Sequence, residues 1–419
     1  MRELTFAIVG FGTVGQAAAR LARQHRELRL THVCNRHVEA KRVDWPGDDV
    51  RWTDDVGEVL ASPVEVIVEL VGGVEPATTW LTQALRAGKH VVTANKQALA
   101  HHGGELFELA HASGRALRFE AAVGGGIPVI RGIGKGLASD RLDRISGVLN
   151  GTCNYILSTI EQRDTTFTQA LAEAQERGYA EADPGADLDG HDARAKLCLL
   201  ARIGFGQAVA PEQVACHSIR RVSPVDFFFA RRVSCTIRQV AGAEHDIGSR
   251  VVRARVGPAL VHTDSPLARP VANQNIVVTQ GEYSGETAFL GLGAGGDPTA
   301  VAVVSDLLAI AERPDAVLPA RFAQVDMPLA VTDRLVCPHY VRFVVRDRLG
   351  IVADLGHVLS THALDIESVL SPARPRAAGP VAFAATLNEC DPHMLERALV
   401  EIAQLDFHAE PPVAMPILR

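Results

Sequence analysis

Several residue types and patterns are scarce in this 419-residue sequence, and each scarcity argues against a class of protein. Aromatic residues make up only 5% of the chain, which argues against a stacking platform for single-stranded nucleic acid. The formal net charge is -7, so we do not expect a general binder of nucleic acid or of anionic membranes. No apolar run is long enough to cross a bilayer. The sequence therefore predicts a globular protein with neither nucleic-acid nor membrane partners.

The seven cysteines are widely scattered, and no two of them have the C-x-x-C spacing. That spacing is typical of zinc knuckles and thioredoxin-type motifs, so neither is predicted. An odd number of scattered cysteines suits a reducing compartment. The first residues pass directly into a short apolar run, which leaves no room for a signal peptide. We therefore expect a cytoplasmic location.

The first third of the chain alternates predicted strands with predicted helices, which is typical of a parallel sheet with crossover helices. A glycine-rich turn follows the first strand, Leu4–Val9, and opens a helix. This context favours a dinucleotide site, in which Gly10 permits the tight turn, Gly12 lets a pyrophosphate approach and Gly15 allows close packing. The alternative is a glycine-rich turn without a ligand. The predicted cofactor contacts in this turn are Gly10, Phe11, Gly12, Thr13, Val14 and Gly15.

The end of the second predicted strand bears on the choice between NAD and NADP. An NAD site usually has Asp or Glu there to bind the ribose 2′-hydroxyl, but this chain has Asn35 followed by Arg36. No carboxylate repels a 2′-phosphate at this position, and the Arg36 guanidinium can pair with one. We therefore predict NADP as the preferred cofactor, with use of NAD also allowed. The alternative is that Arg36 is a solvated loop residue.

Two segments after later predicted strands carry polar chemistry. Lys96 ends the segment Thr93–Lys96, where ligands bind in parallel sheets, so it is predicted to hold a cofactor or polarise a carbonyl. The alternative for Lys96 is a surface lysine on a turn. The loop Glu120–Pro128 contains three consecutive glycines, which expose backbone carbonyls and allow unusual dihedral angles. This loop can surround a ligand or a monovalent cation, with Glu120 adding charge, or it can be a hinge between domains.

Two further helix starts are predicted. Thr152 is a candidate N-cap in the segment Asn150–Tyr155. A second glycine-rich loop, residues 291–296, precedes Asp297 as N-cap and Pro298 as first helical residue of a helix that continues to about 311. We expect this helix to pack on the nucleotide domain, which would place the loop near the cofactor. The alternative is a long flexible connector.

The segment from 181 to 192 contains five carboxylates, and three explanations compete. A calcium loop fails because the first and twelfth ligand positions would be Gly185 and Lys196. A solvated acidic loop would leave Asp192 and Lys196 as an ordinary i,i+4 helix pair. A site for a cationic substrate would use the carboxylates to hold an ammonium group and Lys196 for proton transfer. The apolar helix Ala193–Ile203 slightly favours the third explanation, because it predicts a partly buried lysine.

The pattern changes after about residue 335. The predicted strands are Tyr340–Arg346, Leu364–Leu370 and Val381–Leu387, and the predicted helices are Gly350–His362 and His393–Leu405. This βαββα order, with a last strand near 415–418, resembles an ACT domain, a module that senses amino acids, although Leu349 replaces the frequent proline of the ligand turn at 346–352. Pro411, Pro412 and Pro416 are expected to limit the last strand to an edge role. Threonine feedback is a hypothesis, and a dimerisation module without ligand is the alternative.

Taken together, the motifs resemble the homoserine dehydrogenase family over nearly the whole length. The resemblance rests on G-F-G-T-V-G, T-A-N-K, E-A-A-V-G-G-G-I-P, L-N-G-T-C-N-Y-I-L, G-Y-A-E-A-D-P-G-A-D-L-D-G-H-D-A-R-A-K and G-A-G-G-D-P-T-A. The acidic motif is the most specific of them. The resemblance implies an NAD(P)-dependent enzyme that interconverts L-homoserine and L-aspartate 4-semialdehyde, a step towards threonine and methionine.

The resemblance also implies roles for individual residues. Lys196 matches the acid/base lysine, and Lys96 matches a lysine at the cofactor and substrate. Glu181, Asp187 and Asp192 match the carboxylates that hold the substrate and its ammonium group. Gly178, Glu181, Gly293 and Gly295 match cofactor contacts. Glu120, with the carbonyls of Val123, Gly125 and Ile127, matches a sodium site.

We predict an α/β chain of three regions. Residues 1–130 form a Rossmann-type doubly wound parallel sheet, which the helix at about 297–312 completes. Residues 131–296 form an α+β substrate and dimerisation domain. Residues 335–419 form a ferredoxin-like, ACT-like domain. A homodimer or homotetramer is expected from the resemblance. With no aspartate-kinase-like segment before Met1, we expect the monofunctional form. The rival functions are a related dehydrogenase of another amino-acid aldehyde or amine, and a non-catalytic nucleotide-binding sensor.

Overall fold

A computed structural model describes residues 3–47, 49–313, 327, 330–346, 348–371 and 379–418. The first region contains a six-stranded parallel sheet in the order β3-β2-β1-β4-β5-β6. Its strands are β1 Leu4–Val9, β2 Leu28–Cys34, β3 Arg51–Thr53, β4 Val66–Glu69, β5 His90–Thr93 and β6 Leu117–Arg118. Its helices are α1 Thr13–Ala22, α2 Val38–Lys41, α3 Val56–Ala61, α4 Ala77–Arg86 and α5 Lys96–Ala112. The doubly wound parallel sheet predicted from the sequence is confirmed.

The strand order of this sheet reverses between β1 and β4. In such sheets a crevice opens at the carboxyl ends of the strands on either side of the reversal, and ligands bind there. The turn after β1, the loop after β4 and the start of α5 all lie at this edge. The fold therefore brings the glycine-rich turn and Lys96 to the same side of the sheet.

The second region is built on a mixed sheet. The path continues from α6 Val129–Arg131 and a π-helical turn, Gly132–Gly136, into β7 Leu142–Val148, β8 Ala215–Cys216, β9 Cys235–Asp246, β10 Val251–His262, β11 Gln274–Gly281 and β12 Gly285–Leu292. The helices of this region are α7 Gly151–Arg163, α8 Phe167–Glu176, α9 Gly185–Leu188, α10 His191–Phe205 and α11 Pro224–Arg232. The strands lie in the order β12-β11-β7-β9-β10, and β8 pairs with β10. Helix α10 packs on one face of this sheet, where Leu197 and Leu200 join Ile145 and Ala243 in one hydrophobic core.

Helix α12, Gly296–Glu312, returns to the first region and packs against α1. The contact is close, because a Cβ atom on Gly296 would lie 2.9 Å from the Thr13 methyl carbon. The expected position of this helix is therefore observed. Its N-cap is Gly295, however, and not Asp297, whose side chain lies in the first turn and is almost fully exposed. The sequence prediction of the cap was wrong by two residues.

The C-terminal region has the order βαββαβ. Its elements are β14 Cys337–Val345, α13 Ile351–Thr361, β15 Ile366–Leu370, β16 Val381–Cys390, α14 Pro392–Ile402 and β17 His408–Leu418. The strands are antiparallel in the order β17-β14-β16-β15, which is a ferredoxin-like arrangement. A short strand before it, β13 Ala330–Thr332, pairs with β10. Among the described residues, no helix has the length and apolar character needed to cross a membrane.

The last strand is longer and more central than the sequence predicted. It pairs with β14 along His408–Pro416 and then with β10 through Ile417 and Leu418, so the sheets of the second and third regions are continuous. The expected edge role is therefore wrong for the end of the strand. All three prolines precede the two residues that pair with β10, so their missing N–H groups remove no hydrogen bond on that side.

Candidate active site

The glycine-rich turn has the backbone geometry of a ligand cradle. Gly10 has a φ of +104°, and a Cβ atom there would lie 2.8 Å from the Leu70 backbone. A Cβ atom on Gly15 would lie 2.3 Å from the Gly10 oxygen, whereas Gly12 faces open space. Two glycines are therefore needed for packing, and the third leaves room for a ligand at the start of α1.

The remaining residues of the turn contribute unequally. Thr13 is exposed and Val14 half-buried, but the Phe11 side chain is fully buried against the edge of the Trp52 ring, with 5.0 Å between centroids. The Phe11 N–H donates to the Asn35 Oδ1 atom at 3.2 Å. Phe11 therefore faces the protein with its ring, and its backbone N–H is tied to the end of β2. Arg36, the next residue after Asn35, is exposed beside this turn.

Lys96 connects the first region to the second. It is the first residue of α5, directly after the Asn95 N-cap, and its Nζ atom lies 3.0 Å from the Asp192 Oδ1 atom. The Asp192 carboxylate raises the pKa of Lys96 against the opposing effect of burial, and Asp187 and Glu181 add to the increase. The Lys96 side chain is 33% exposed, so a ligand in the crevice can reach it.

Lys196 lies on the other side of the same carboxylate. Its Nζ atom donates to the Asp192 Oδ2 atom at 2.7 Å and to the Leu149 carbonyl at 2.7 Å. The two oxygens of Asp192 therefore hold one lysine each. Burial opposes ionisation of Asp192, but Lys196 and Lys96 outweigh it and hold the pKa of this carboxyl well below its usual range. The Asp192–Lys196 pair is buried in the crevice and is not a solvated helix pair.

Asn150 completes this group, and it also shows that the predicted N-cap role of Thr152 was wrong. Its side-chain oxygen accepts from the Cys153 N–H, which makes Asn150 the N-cap of α7. The predicted cap, Thr152, instead lies inside the helix and donates its hydroxyl to the Tyr179 carbonyl. The Asn150 amide nitrogen donates to Asp187 at 2.7 Å and to Asp192 at 2.8 Å, so one side chain holds both carboxylates.

Only part of the acidic segment faces the two lysines. Burial and the neighbouring Asp192 charge raise the pKa of Asp187, which lies in the preceding short helix, α9. Asp189 instead binds the Arg220 guanidinium at 3.2 Å, and Asp183 accepts from the Gly185 N–H. Glu181 is exposed, and its charge helps to raise the pKa of Lys96. No group of three or more His, Cys, Asp or Glu side chains suited to a metal ion occurs in the described part of the chain.

Asn275 is a second residue that sequence reasoning missed. It is 1% exposed, and its amide nitrogen donates to the Leu149 carbonyl that also accepts from Lys196. Its Oδ1 atom is buried without a hydrogen-bond partner in the described structure. A Cβ atom on Gly293 would lie 2.0 Å from the Asn275 side chain, so the second glycine-rich loop closes directly over this amide. No local sequence pattern marks Asn275, because its partners are distant along the chain.

The two later glycine-rich loops lie against each other. A Cβ atom on Gly125 would lie 2.6 Å from the Gly293 backbone, and the Gly126 N–H donates to the Leu292 carbonyl at 3.2 Å. Gly295 has a φ of +126°, in the region that favours glycine, and the exposed Gly178 has a φ of +73°. The loops therefore meet where the first and second regions join.

The Glu120 carboxylate does not point into its own loop. It accepts from the backbone N–H groups of Ile130, at 2.8 Å, and Arg131, at 3.0 Å. Burial, reinforced by Asp306, raises the pKa of Glu120 to about 7. In the described structure, no hydrogen bond occupies the Val123 or Gly125 carbonyls, whereas the Ile127 carbonyl accepts from the Val129 N–H. Three of the four predicted cation ligands are thus backbone groups of one loop, and the carboxylate of the fourth is used elsewhere.

Two family models and several known proteins similar to this chain share one description. A family model described as homoserine dehydrogenase matches residues 128–308, and one described as the NAD-binding domain of homoserine dehydrogenase matches residues 10–120. A homoserine dehydrogenase from Synechocystis sp. is 38% identical over 381 residues, which is 87% of this chain and 88% of the relative. A crystal structure of a homoserine dehydrogenase from Thiobacillus denitrificans has a TM-score of 0.90 and 29% identity, and covers 100% of this chain and 99% of its own.

A third similarity concerns a structure with a bound cofactor. A hyperthermophilic archaeal homoserine dehydrogenase in complex with NADPH has a TM-score of 0.64 and 27% identity, covering 73% of this chain and 97% of its own. These similarities confirm the predicted family, and they support neither another amino-acid dehydrogenase nor a non-catalytic sensor. The chain belongs to the homoserine dehydrogenase family, the oxidoreductases that interconvert L-homoserine and L-aspartate 4-semialdehyde with a nicotinamide cofactor.

Proposed function

We propose that Lys196 is the acid/base residue of this reaction in this chain, and that the crevice around Asp192 is the substrate site. The observation that supports this proposal is the sharing of one buried carboxylate by Lys196 and Lys96. The nicotinamide cofactor, when bound, supplies or accepts the hydride. During reduction, Lys196 donates a proton to the substrate oxygen as that oxygen gains negative charge, and it takes the proton back during oxidation.

Asp192 and its partners have a positioning role in this proposal. The Asp192 carboxylate fixes the Lys196 and Lys96 ammonium groups, while the Leu149 carbonyl gives Lys196 a second fixed contact. Two hydrogen-bond acceptors on one ammonium group restrict its direction, so the third N–H is free to face the reacting oxygen. Lys96, which is partly exposed, binds the substrate or cofactor at the opposite side of the crevice.

Asp187 and Glu181 are proposed to hold the substrate ammonium group. Asp187 has a raised pKa because it is partly buried beside another carboxylate, and an ammonium group placed nearby would favour its ionised form. Glu181 is exposed and contributes to the positive shift of the Lys96 pKa, so its charge reaches the same space. Two carboxylates beside two fixed lysines suit a zwitterionic amino-acid substrate, whose charges are also opposite and close together.

NADP is the proposed cofactor. The turn from Gly10 to Gly15 and the start of α1 would hold the pyrophosphate, and the exposed Arg36 would pair with the 2′-phosphate. The archaeal relative named as an NADPH complex supports this choice. The loops that carry Gly293 and Gly295 are proposed to contact the nicotinamide half, because Gly293 lies over Asn275 beside Lys196. Gly178 is proposed as a further cofactor contact.

A monovalent cation, with sodium as the first candidate, is proposed for the loop that follows Glu120. The Val123 and Gly125 carbonyls suit it, because hard cations prefer oxygen ligands and these two oxygens accept no other hydrogen bond in the described structure. The Ile127 carbonyl would have to share its bond with the Val129 N–H. The cation would then stiffen the loop where the first and second regions meet.

The wider organisation is also a proposal. Three domains, 1–130 with the helix at 297–312, 131–296 and 335–419, agree with the two sheets and with the ferredoxin-like βαββαβ region. That region is proposed to be an ACT-like regulatory domain with threonine as candidate effector, although part of the predicted ligand turn, Asp347, lies outside the described residues. A homodimer or homotetramer and a cytoplasmic location complete the proposal, and the seven free cysteines agree with the latter.

Substitution of Lys196 tests the catalytic proposal. Lys196→Met is expected to reduce kcat by roughly 10²- to 10⁴-fold, the usual size of general acid–base catalysis, while NADPH binding measured by fluorescence titration is retained. Lys89→Met is a matched control, because Lys89 is also buried and donates to two backbone carbonyls, those of Ser62 and Val64, away from the crevice. Unchanged turnover in Lys196→Met would remove this residue from the mechanism.

A further inference from the structure

A buried carboxylate at the end of β4 has no role in the mechanism described above. Glu69 is 1% exposed, and its Oε1 atom accepts from the backbone N–H groups of Val71, at 2.8 Å, and Gly72, at 3.1 Å. Its Oε2 atom accepts from the Thr93 hydroxyl at 2.6 Å. No ion pair to Glu69 occurs within the described ranges of the chain, so the hydrogen bonds to this carboxyl group come from neutral donors.

The hydrogen bonds continue from Thr93 into the start of α5. The Thr93 hydroxyl oxygen accepts from the Asn95 N–H at 2.9 Å, and the Asn95 side-chain oxygen caps α5 by accepting from the Ala98 N–H at 3.1 Å. The Asn95 amide nitrogen donates to the Gly73 carbonyl at 2.8 Å. One network therefore joins the end of β4, the loop after it and the turn between β5 and α5.

This network ends beside the candidate catalytic groups. Lys96 follows the Asn95 cap directly, and its Nζ atom reaches Asp192 across the crevice. The loop fixed by Glu69 contains Gly72 and Gly73, both with positive φ, at the edge of the sheet where the cofactor crevice opens. A shift of Glu69 or Thr93 would therefore move the backbone that carries Lys96.

We infer that Glu69 is a positioning residue for the reaction: through Thr93 and Asn95 it fixes the start of α5, and with it Lys96, relative to Asp192. The inference rests on the proposed role of Lys96. A carboxylate suits this task because it accepts three hydrogen bonds in fixed directions, whereas the nitrogen of a glutamine in its place can accept none. Misplacement of a catalytic group by about 1 Å can reduce turnover roughly a hundredfold.

The opposite end of the same strand provides a natural comparison. Glu65 directly precedes β4, and its Oε2 atom accepts from the Thr5 N–H at 3.1 Å and the Thr5 hydroxyl at 3.2 Å. This is the same combination of a carboxylate, a backbone amide and a threonine hydroxyl. It lies at the amino end of the sheet, away from the crevice. Glu65 is therefore a matched control for a purely structural role.

The experiment compares Glu69→Gln, Thr93→Val and Thr93→Ser with Glu65→Gln, in the full-length enzyme. Glu69→Gln and Thr93→Val are expected to lower kcat/KM for homoserine by roughly ten- to a hundredfold. NADPH affinity is expected to fall less than kcat/KM, because the Gly10–Gly15 turn takes no part in the network. Thr93→Ser keeps the hydroxyl and is expected to recover most of the activity that Thr93→Val loses. Glu65→Gln removes a carboxylate oxygen from a comparable pair of donors but is expected to keep wild-type turnover.

Two results would overturn the inference. One is wild-type kcat and KM in folded Glu69→Gln and Thr93→Val. The other is an equal loss of activity in Glu65→Gln, which would indicate a general effect on stability. If Glu69→Gln does not fold, the Thr93→Val and Thr93→Ser pair gives the answer. Lys96→Met separates this inference from the proposed site, because unchanged activity in that variant would reject the role of Lys96 itself.

Discussion

Two buried carboxylates in this molecule each accept several hydrogen bonds, but they have different roles. Asp192 lies in the crevice and binds Lys196, Lys96 and Asn150. Asp226 lies in α11, where the second region meets the C-terminal region, and it binds the Tyr340 hydroxyl at 2.9 Å and the Arg342 guanidinium at 2.7 Å. Both groups join separate regions of the chain, but their exposure to ligand differs.

The Asp226 group is closed to solvent. Its carboxylate is fully buried and the Arg342 side chain is 5% exposed, and the Ser223 N–H and hydroxyl fill the remaining positions on the carboxylate. Burial raises the pKa of Asp226 even though Arg342 opposes the shift. In the crevice, by contrast, the Lys96 side chain is 33% exposed. Arg342, the cation that binds Asp226, has no such access to solvent. The difference indicates that Asp226 stabilises a junction, whereas Asp192 leaves charged groups available to a ligand.

Removal of the Asp192 charge is expected to give the largest effect on activity. Asp192→Asn should lower kcat by roughly 10²- to 10⁴-fold, because both lysines lose the carboxylate that orients them. The free energy of unfolding of Asp192→Asn should change less than that of Asp226→Asn, because Lys196 keeps its hydrogen bond to the Leu149 carbonyl and Lys96 can turn to solvent. Steady-state kinetics and urea denaturation of the same preparation measure the two quantities. Near-normal turnover in Asp192→Asn would contradict the role of Asp192 in orienting the two lysines.

Removal of the Asp226 charge is expected to act on stability instead. Asp226→Asn should lower the free energy of unfolding by about 3–5 kcal/mol, since Arg342 is left buried without its counter-ion. The folded fraction should keep most of its kcat, because no candidate catalytic residue contacts Asp226. Denaturation followed by both fluorescence and activity measures this. A loss of turnover in the folded protein would instead show that the junction controls the crevice.

Substitution of Arg36 tests whether this charged group affects cofactor selection. Arg36→Ala should lower the ratio of kcat/KM for NADPH to kcat/KM for NADH by roughly ten- to a hundredfold. A hydrogen bond to a charged group contributes about 1.5–3 kcal/mol, which corresponds to a change of this size. Arg42→Ala, which removes an exposed arginine just after α2, is the control. A ratio that is the same in all three proteins would exclude Arg36 from cofactor selection.

Glu120 is a third buried carboxylate, to be compared with Asp192 and Asp226. It lies where the first two regions join, and it is bound to backbone N–H groups. Its pKa is raised from 4.5 to about 7, so the native state binds the proton more tightly than the unfolded state. Its stabilising contribution is therefore present at pH 4.5 and is lost as pH rises to 7. Glu120→Gln should flatten the decline in stability between pH 5 and 8 by about 1–3 kcal/mol. Parallel stability curves for wild type and variant would contradict this expectation.

Local patterns carried much of the prediction. The glycine turn after β1, the alternation of strands and helices, and the βαββα order of the C-terminal region follow from periodicity and turn residues, which act over a few positions. The helix starts were less reliable, because Asn150 and Gly295, not Thr152 and Asp297, cap α7 and α12. Asn150 caps α7 with its own side chain three residues away, whereas α12 begins at Gly295 without a side-chain cap, although Asp297 lies in its first turn.

The candidate site itself divides in the same way. The acidic motif and its closing lysine pointed to Asp192 and Lys196, which are four residues apart on one helix. Asn150, Asn275 and Glu69 were missed, because each binds a residue between 24 and 126 positions away, which only the fold brings close. An isolated asparagine or glutamate has no periodicity by which its role can be recognised.

The sequence by itself determined the family, the doubly wound sheet and the segments that bear the reactive groups, since these depend on short-range patterns of glycine, apolar residues and charge. The tertiary structure alone decided that Asp192 holds a lysine on each oxygen, and that β17 joins the sheets of the second and third regions. The physical reason is that hydrogen-bond partners are chosen by distance in space. Packing of α5 against α10, and of β17 against β10, sets those distances.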